Sequence, residues 1–141
     1  MRNPTLALAG VNAFLAVAAG AWAAHGLEKL VPDPARIAQF ETGARYHMYH
    51  ALALLSLAGM VDLRKARTSM RIAGCCFLAG ILLFSGSLYL LVLTGVTRLG
   101  MITPIGGLAF LAGWLTLALA GFGKGRKCQG AKGPRKRQEE D

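Results

Sequence analysis

The chain has 141 residues, of which 54% are hydrophobic and 16% charged. Ten of its 23 charged residues fall in the last 18 positions, Lys124 to Asp141, which leaves 13 for the preceding 123, too few for an ordinary soluble surface. This excludes a disordered chain, a collagen and a disulfide-rich secreted scaffold, and leaves an integral membrane protein.

A hydrocarbon core of about 30 Å takes about 20 apolar residues in a helix rising about 1.5 Å per residue. Asp, Glu, Lys and Arg are missing from Asn3 to Leu27, with the apolar part from Thr5 to Ala24. Arg2 ahead of this run and Ala21-Trp22-Ala23 at its end look like a signal peptide and its cleavage site. The run is longer than a signal core of about 7–15 residues, so it is read as a first span that stays in place.

His25 to Arg45 forms the one long connection. Pro32-Asp33-Pro34 marks a turn in which Pro34 opens a helix. Ala35 to Tyr46 predicts a short helix lying along the outer interface, with Ile37, Phe40 and Ala44 on one side and Arg36, Gln39 and Arg45 elsewhere. Glu41 and Arg45 are spaced to pair. The next charge-free window, Tyr46 to Val61, has only 16 residues, so a spanning helix is expected to start near Gly43 and end near Leu63. That pulls Tyr46, His47, Tyr49 and His50 to the bilayer interface or inside it. The third window runs from Ile72 to Thr97 and the fourth from Leu99 to Gly123, each long enough to cross. Small residues recur at four-residue spacing, as Ala16, Gly20 and Ala24 and again as Ala109 and Gly113, the pattern that lets membrane helices approach closely within a bundle.

With four crossings, the N-terminus, the loop from Asp62 to Arg71 and the tail share one side. That side holds 12 of the basic residues, against 4 on the other: Lys29, Arg36, Arg45 and Arg98. The positive-inside rule then predicts both termini in the cytoplasm. Residues 1–123 are read as a four-helix transmembrane domain and 124–141 as a disordered basic cytoplasmic tail. The tail has no aromatic residues for stacking on bases, so contact with anionic headgroups is expected in place of nucleic acid. Adjacent Cys75 and Cys76 are read as small apolar fillers. Neither they nor Cys128 belong to a zinc, redox or lipidation spacing.

Polar residues converge in the outer leaflet. His25 ends the first helix, Tyr46 to His50 sit at the outer end of the second, Ser85, Ser87 and Tyr89 fall at or just above the midplane of the third, and Thr103, Pro104, Gly106 and Gly107 begin the fourth. Such groups at membrane depth face a bundle interior and mark either a functional site or a hydrogen-bonded register lock. In the lock, His25 would pair with His50 or Tyr89, Ser85 and Ser87 would bond to backbone carbonyls, and Thr103 would relieve the backbone break at Pro104.

Several of these residues carry a resemblance. Gly20-Ala21-Trp22-Ala23-Ala24-His25, then Thr42-Gly43 with Tyr46 and His50, then Phe84-Ser85-Gly86-Ser87-Leu88-Tyr89, and Thr103-Pro104-Ile105-Gly106-Gly107 with Gly113-Trp114, resemble the signature blocks of domain-of-unknown-function family 423. That family comprises bacterial YgdD-like proteins and mammalian transmembrane protein 256. The resemblance spans about residues 5 to 121 and implies a small inner-membrane protein with no established activity. It marks His25, His50, Ser87, Tyr89, Pro104, Gly106 and Gly107 as matching positions. Trp22 and Ala23 stand where the family has Phe and Gly, and His47 lies outside the pattern, which speaks against His47 as a metal ligand.

The expected function is a structural, accessory or interaction role, with the bilayer, a membrane-protein partner or a second copy of the chain as partners and no cofactor or catalytic residue. The alternative is a small transporter or channel using the His and Tyr groups, although Glu28, Asp33, Glu41 and Asp62 all lie outside the membrane windows. A metal or haem protein comes third, because a third ligand is missing beside the two His. A membrane enzyme would rest on Ser87 and His50 alone.

Overall fold

The computed structural model describes residues 3–60 and 67–122, and all regular structure among them is helical. The expected tail at 124–141, Cys128 and loop residues 61–66 lie outside the described residues.

Helix α1 (Pro4–His25) starts at Asn3, whose side-chain oxygen accepts the Leu6 N–H at 3.1 Å with Pro4 as first helical residue. This is the arrangement that satisfies one of the free N–H groups at a helix start. The helix ends at Gly26, and a single 3₁₀ turn, Leu27–Lys29, leads to Asp33. Asp33 caps α2 (Pro34–Gly59) by accepting the Ala35 N–H at 2.9 Å, so Pro34 opens a helix as expected.

The short interfacial helix and the second span, expected as two elements, are one. α2 runs unbroken for 26 residues, a length of about 39 Å. Nothing between Ala35 and Tyr46 interrupts the i to i−4 ladder: after Pro34 there is no proline, and Gly43 lies within the helix with Leu88 and Tyr89 packed closely on it. As a consequence, His47 and His50 lie near the middle of α2 and not at its outer end.

Helix α3 (Arg67–Gly80) continues through a π-helical turn, Ile81–Ser85, into α4 (Gly86–Thr94), and the Gly86 N–H donates to Ile81 O, five residues back. The wide turn separates two buried rows, with Gly80, Phe84 and Ser87 towards α5 and Ile81, Ser85, Leu88 and Val92 elsewhere in the bundle. α4 closes at Gly95, whose φ of +74° is the left-handed conformation that Gly adopts without a Cβ penalty. Arg36 on the first turn of α2 reaches across and donates to the carbonyls of Leu91, at 3.3 Å, and Val92. Leu91 O also accepts the capping Gly95 N–H at 2.9 Å, whereas Val92 O is one of the carbonyls that a helix end leaves without an intrahelical partner. A 3₁₀ turn, Thr97–Met101, precedes α5 (Thr103–Phe122).

The helices alternate in direction, with α1 on α2 and the α3–α4 unit on α5. On the α5 face, side chains fill notches left by glycine. A Cβ added to Gly113 would lie 2.6 Å from Phe77 Cε1, one at Gly80 would run into the Phe110 ring, and one at Gly106 would lie 2.8 Å from the backbone of Leu83 and Phe84. Ser87 and Thr103 complete the row with hydroxyls 2.9 Å apart. In the pairs 77 with 113, 80 with 110, 84 with 106 and 87 with 103, the two residue numbers add to the same total, which defines one antiparallel register along the whole contact. The expected small-residue stripe is corrected in α1. Ala16 is buried, but its companions are Ala9 and Ala23 at seven-residue spacing, while Gly20 has nothing within 4 Å of an added Cβ and Ala24 is exposed.

Two apolar clusters result. One gathers Ala9, Leu54, Leu57, Ala73, Phe77, Ile81 and Phe110, and the other Ala23, Leu27, Val31, Phe40 and Val92. The polar residues lie between them.

Candidate functional site

His50 is 4% exposed and lies flat against Phe110, with ring centroids 3.4 Å apart and planes 8° from parallel. Its Nδ1 lies 2.8 Å from the carbonyl of Tyr46 one turn earlier, and its Nε2 accepts the indole N–H of Trp114 at 3.2 Å. A carbonyl only accepts and an indole N–H only donates, so the ring is the neutral tautomer with its proton on Nδ1. Both nitrogens are thus used in binding α2 to itself and to α5.

His47, also buried, has the opposite tautomer. Asn12 donates its amide N–H to Leu8 O at 2.8 Å, leaving its oxygen 3.2 Å from His47 Nε2. Nε2 therefore carries the proton, and Nδ1 accepts from the Tyr89 hydroxyl at 3.3 Å. The result is a directed chain, Tyr89 to His47 to Asn12 to Leu8, that crosses the bundle from α4 through α2 to α1. A third bond set joins α4 to α5. Ser87 donates to Phe84 O at 2.9 Å, so Thr103 is the donor in the Ser87–Thr103 pair.

The expected single cluster is thus divided. Tyr89 pairs with His47 and not with His25 or His50. His25 is exposed at the end of α1 and makes no side-chain hydrogen bond among the described residues. Ser85 is fully buried in the π-helical turn, and its hydroxyl has no partner. Gly106 is buried where α5 meets the backbone of Leu83 and Phe84, Pro104 is exposed, and an added Cβ at Gly107 would meet only Phe84 Cδ2, at 3.9 Å. Among the described residues no group of three or more His, Cys, Asp or Glu side chains could hold a metal ion.

A lateral groove of about 790 Å³ runs between α2 and α5, floored by Phe84. Tyr46, Tyr49 and His50 form one wall, and Pro104, Gly107, Leu108, Phe110, Leu111 and Trp114 the other. Leu108 and Leu111 are each 65% exposed, so the groove is open on the side that faces away from the bundle.

A family described as "protein of unknown function (DUF423)" matches residues 19–107. The chain belongs to this family. It is 47% identical over 113 residues to the UPF0382 membrane protein YwdK of Bacillus subtilis, covering 80% of this chain and 91% of the relative. It is 43% identical over 124 residues to a UPF0382 membrane protein of Haemophilus influenzae, covering 86% and 96%. No solved structure matches the chain. Three helical segments, Pro4–His25, Arg67–Thr94 and Thr97–Phe122, are long and apolar enough to cross a membrane. α2 is not among them, with Arg36, Glu41 and Arg45 in its first half and Tyr46, His47, Tyr49 and His50 in its middle lowering its mean hydropathy.

In this DUF423 protein, three residues of the polar network were missed by sequence reasoning. Asn12 sits alone in an apolar run and gave no spacing signal. Trp114 was visible only as part of a signature block, and His47 was set aside because it stands outside the family pattern. The matched residues 19–107 exclude both Asn12 and Trp114, so each histidine takes one partner from outside the matched region and one, Tyr89 or the Tyr46 carbonyl, from within it. Helical arithmetic could have raised His47, since it lies three residues from His50 and four from Gly43, on the buried face of α2.

Proposed function

We propose that the protein is a four-span inner-membrane bundle with both termini in the cytoplasm, acting as an accessory or interaction subunit whose polar residues hold helix register. The observation that carries this reading is the complete use of the imidazoles. All four nitrogens of His47 and His50 are taken up in bonds within the chain, leaving neither ring free to ligate, shuttle or attack. Register locks of this kind are a common use of polar groups in membrane bundles. The antiparallel pairing of α1 with α2 supports a crossing by α2 despite its charged first half, and the 12-to-4 distribution of basic residues supports the orientation.

The alternative, a small transporter, draws on the Tyr89–His47–Asn12 chain. That chain runs across the bundle and not along it, so it joins helices without joining the two sides of the membrane. Mild-detergent purification with mass spectrometry and a liposome flux assay decide between them. A stoichiometric membrane-protein partner with no flux supports the accessory role. A protein that purifies alone and carries protons or solutes above a His50→Ala control overturns it.

A further inference from the structure

The lateral groove has properties that plain lipid packing does not require. On the four-span reading proposed above, on which this inference rests, its opening faces the bilayer, so anything that fills it arrives through the membrane. An acyl chain gains almost nothing by leaving other acyl chains for an apolar groove, because lipid tails are as apolar as the walls. Selective occupancy must therefore come from what the walls offer beyond apolar area.

They offer two things. The first is flat aromatic surface from Tyr46, Phe84 and Trp114, on a frame made rigid by the His50–Phe110 stack and the His50–Trp114 bond. The second is a pair of phenol donors. Tyr46 and Tyr49 are 40% and 54% exposed on the groove side of α2, with rings 5.9 Å apart, and neither hydroxyl is paired among the described residues. In hydrocarbon an unpaired hydroxyl is costly, so a ligand that brings acceptors is favoured over a tail that brings none. The groove is lined by no charged residue, so it offers no cation to pair with a phosphate headgroup. From Pro104 to Trp114 it extends about 15 Å along α5, and its volume lies within the range of small-molecule sites.

We propose that this groove binds a membrane quinone: an uncharged, planar, conjugated ring that accepts hydrogen bonds from the two tyrosines, with its lipophilic tail leaving through the open side past Leu108 and Leu111. A saturated ring or tail stacks no better than lipid and takes no hydrogen bond, so the two wall properties together select this class. The proposal concerns binding alone and goes beyond the accessory role, which stands or falls on partner capture.

The test uses the full chain in nanodiscs of phosphatidylethanolamine and phosphatidylglycerol, titrated with a decyl-substituted benzoquinone. The chain has two Trp, so Trp22→Phe leaves Trp114 as sole reporter, and retention of quinone by loaded over empty nanodiscs gives a readout that needs no Trp. Saturable quenching at one quinone per chain is expected. Gly107→Leu fills the groove where an added Cβ meets only ordinary contact and should weaken binding at least about tenfold with an unchanged melting profile. Tyr46→Phe with Tyr49→Phe should weaken it about tenfold as two neutral hydrogen bonds are lost. Decylbenzene, the same shape without carbonyls, should compete at least about tenfold less well. Quenching that rises linearly with quinone in the lipid, equal competition by decylbenzene, or full binding by a folded Gly107→Leu protein would each overturn the proposal.

Discussion

Trp114 donates its indole N–H to Nε2 of His50 at 3.2 Å, and this bond is the one polar tie between α2 and α5 among the described residues. Trp114→Phe keeps an aromatic ring against Phe77, now 5.0 Å away, but leaves a buried imidazole nitrogen without a donor. The expected loss is about 1–3 kcal/mol of stability. A reversible denaturation series in mixed micelles measures it, and a double-mutant cycle with His50→Phe isolates the coupling. Zero coupling would show that the bond contributes nothing.

The two histidines should be distinguishable without any mutation. Their partners require a proton on Nδ1 in His50 and on Nε2 in His47, because one faces a carbonyl at Nδ1 and the other an amide oxygen at Nε2. Nitrogen-15 NMR of histidine-labelled protein should therefore show both neutral tautomers in the bundle. Asn12→Leu should perturb only the His47 signals, at a stability cost near the about 0.6 kcal/mol average for polar contacts between membrane helices. Identical tautomers for the two rings would contradict the network.

Adjacent glycines at the start of α5 should behave oppositely. Gly106→Ala drives a methyl into the backbone of Leu83 and Phe84, which cannot rotate away as a side chain can, so a loss of about 1–3 kcal/mol or more is expected from overpacking. Gly107→Ala meets only Phe84 Cδ2 at 3.9 Å and should be neutral or gain up to about 1 kcal/mol in helix propensity. Parallel melting curves of the two variants provide the comparison, and equal effects would show that the α4–α5 approach is looser than described.

Much of this architecture was legible because membrane spans declare themselves by missing charges: the apolar runs from Thr5, from Ile72 and from Leu99 correspond to α1, to α3 with α4, and to α5. The helix start at Pro34 was legible as well, because a proline's fixed backbone acts locally. What escaped was non-local. A charge-free window of 16 residues at Tyr46 to Val61 suggested that α2 begins near Gly43, but helix continuity is set by backbone compatibility and packing, and Arg36 is stabilised inside the helix by the α4 carbonyls it caps. The π-helical turn leaves no composition mark in Ile81-Leu82-Leu83-Phe84-Ser85. Which histidine meets which partner depends on helix order and rotation, so the expected pairing of His25 with His50 or Tyr89 gives way to Tyr89 with His47, and Asn12 and Trp114 enter the network with no spacing signal in the sequence.

Arg36 ties the start of α2 to the end of α4 through two carbonyls. Replacing it by Gln removes the charge that complements the negative end of the α4 dipole and exposes the Val92 carbonyl. A loss of about 1 kcal/mol is expected, larger at low than at high salt because the charge term is screened. Gly95→Ala, which forces a Cβ onto a left-handed backbone with φ of +74°, should cost about 1–2 kcal/mol independently of salt. Measuring both variants at low and high ionic strength separates the electrostatic part from the backbone part.

The proposed count of four crossings draws its support from how the ends of paired helices meet. Asn3, at the start of α1, donates its side-chain N–H to Ala58 O at 3.4 Å near the end of α2, so the two ends of this hairpin lie at one level. If α1 crosses, α2 must return with it, and its charged first turns are then carried at the far end, where Arg36 is neutralised in part by helix carbonyls. The same reasoning applies to α3–α4 and α5, which meet at Phe77 and Gly113 near one end and at Ser87 and Thr103 near the other. Four crossings put residues 61–66 on the side of both termini and Val96 to Arg98 on the opposite side. Reporter fusions should therefore give a cytoplasmic signal after Asp141 and within 61–66, and a periplasmic signal after Thr97. Moving basic residues should act through the inner loop: Arg64→Gln with Lys65→Gln, Arg67→Gln and Arg71→Gln lowers the inner count from 12 to 8 against 4 outside, which preserves the bias and should preserve the orientation. A periplasmic signal after Asp141 in the unmodified protein would mean that one helix, α2 before any other, does not cross.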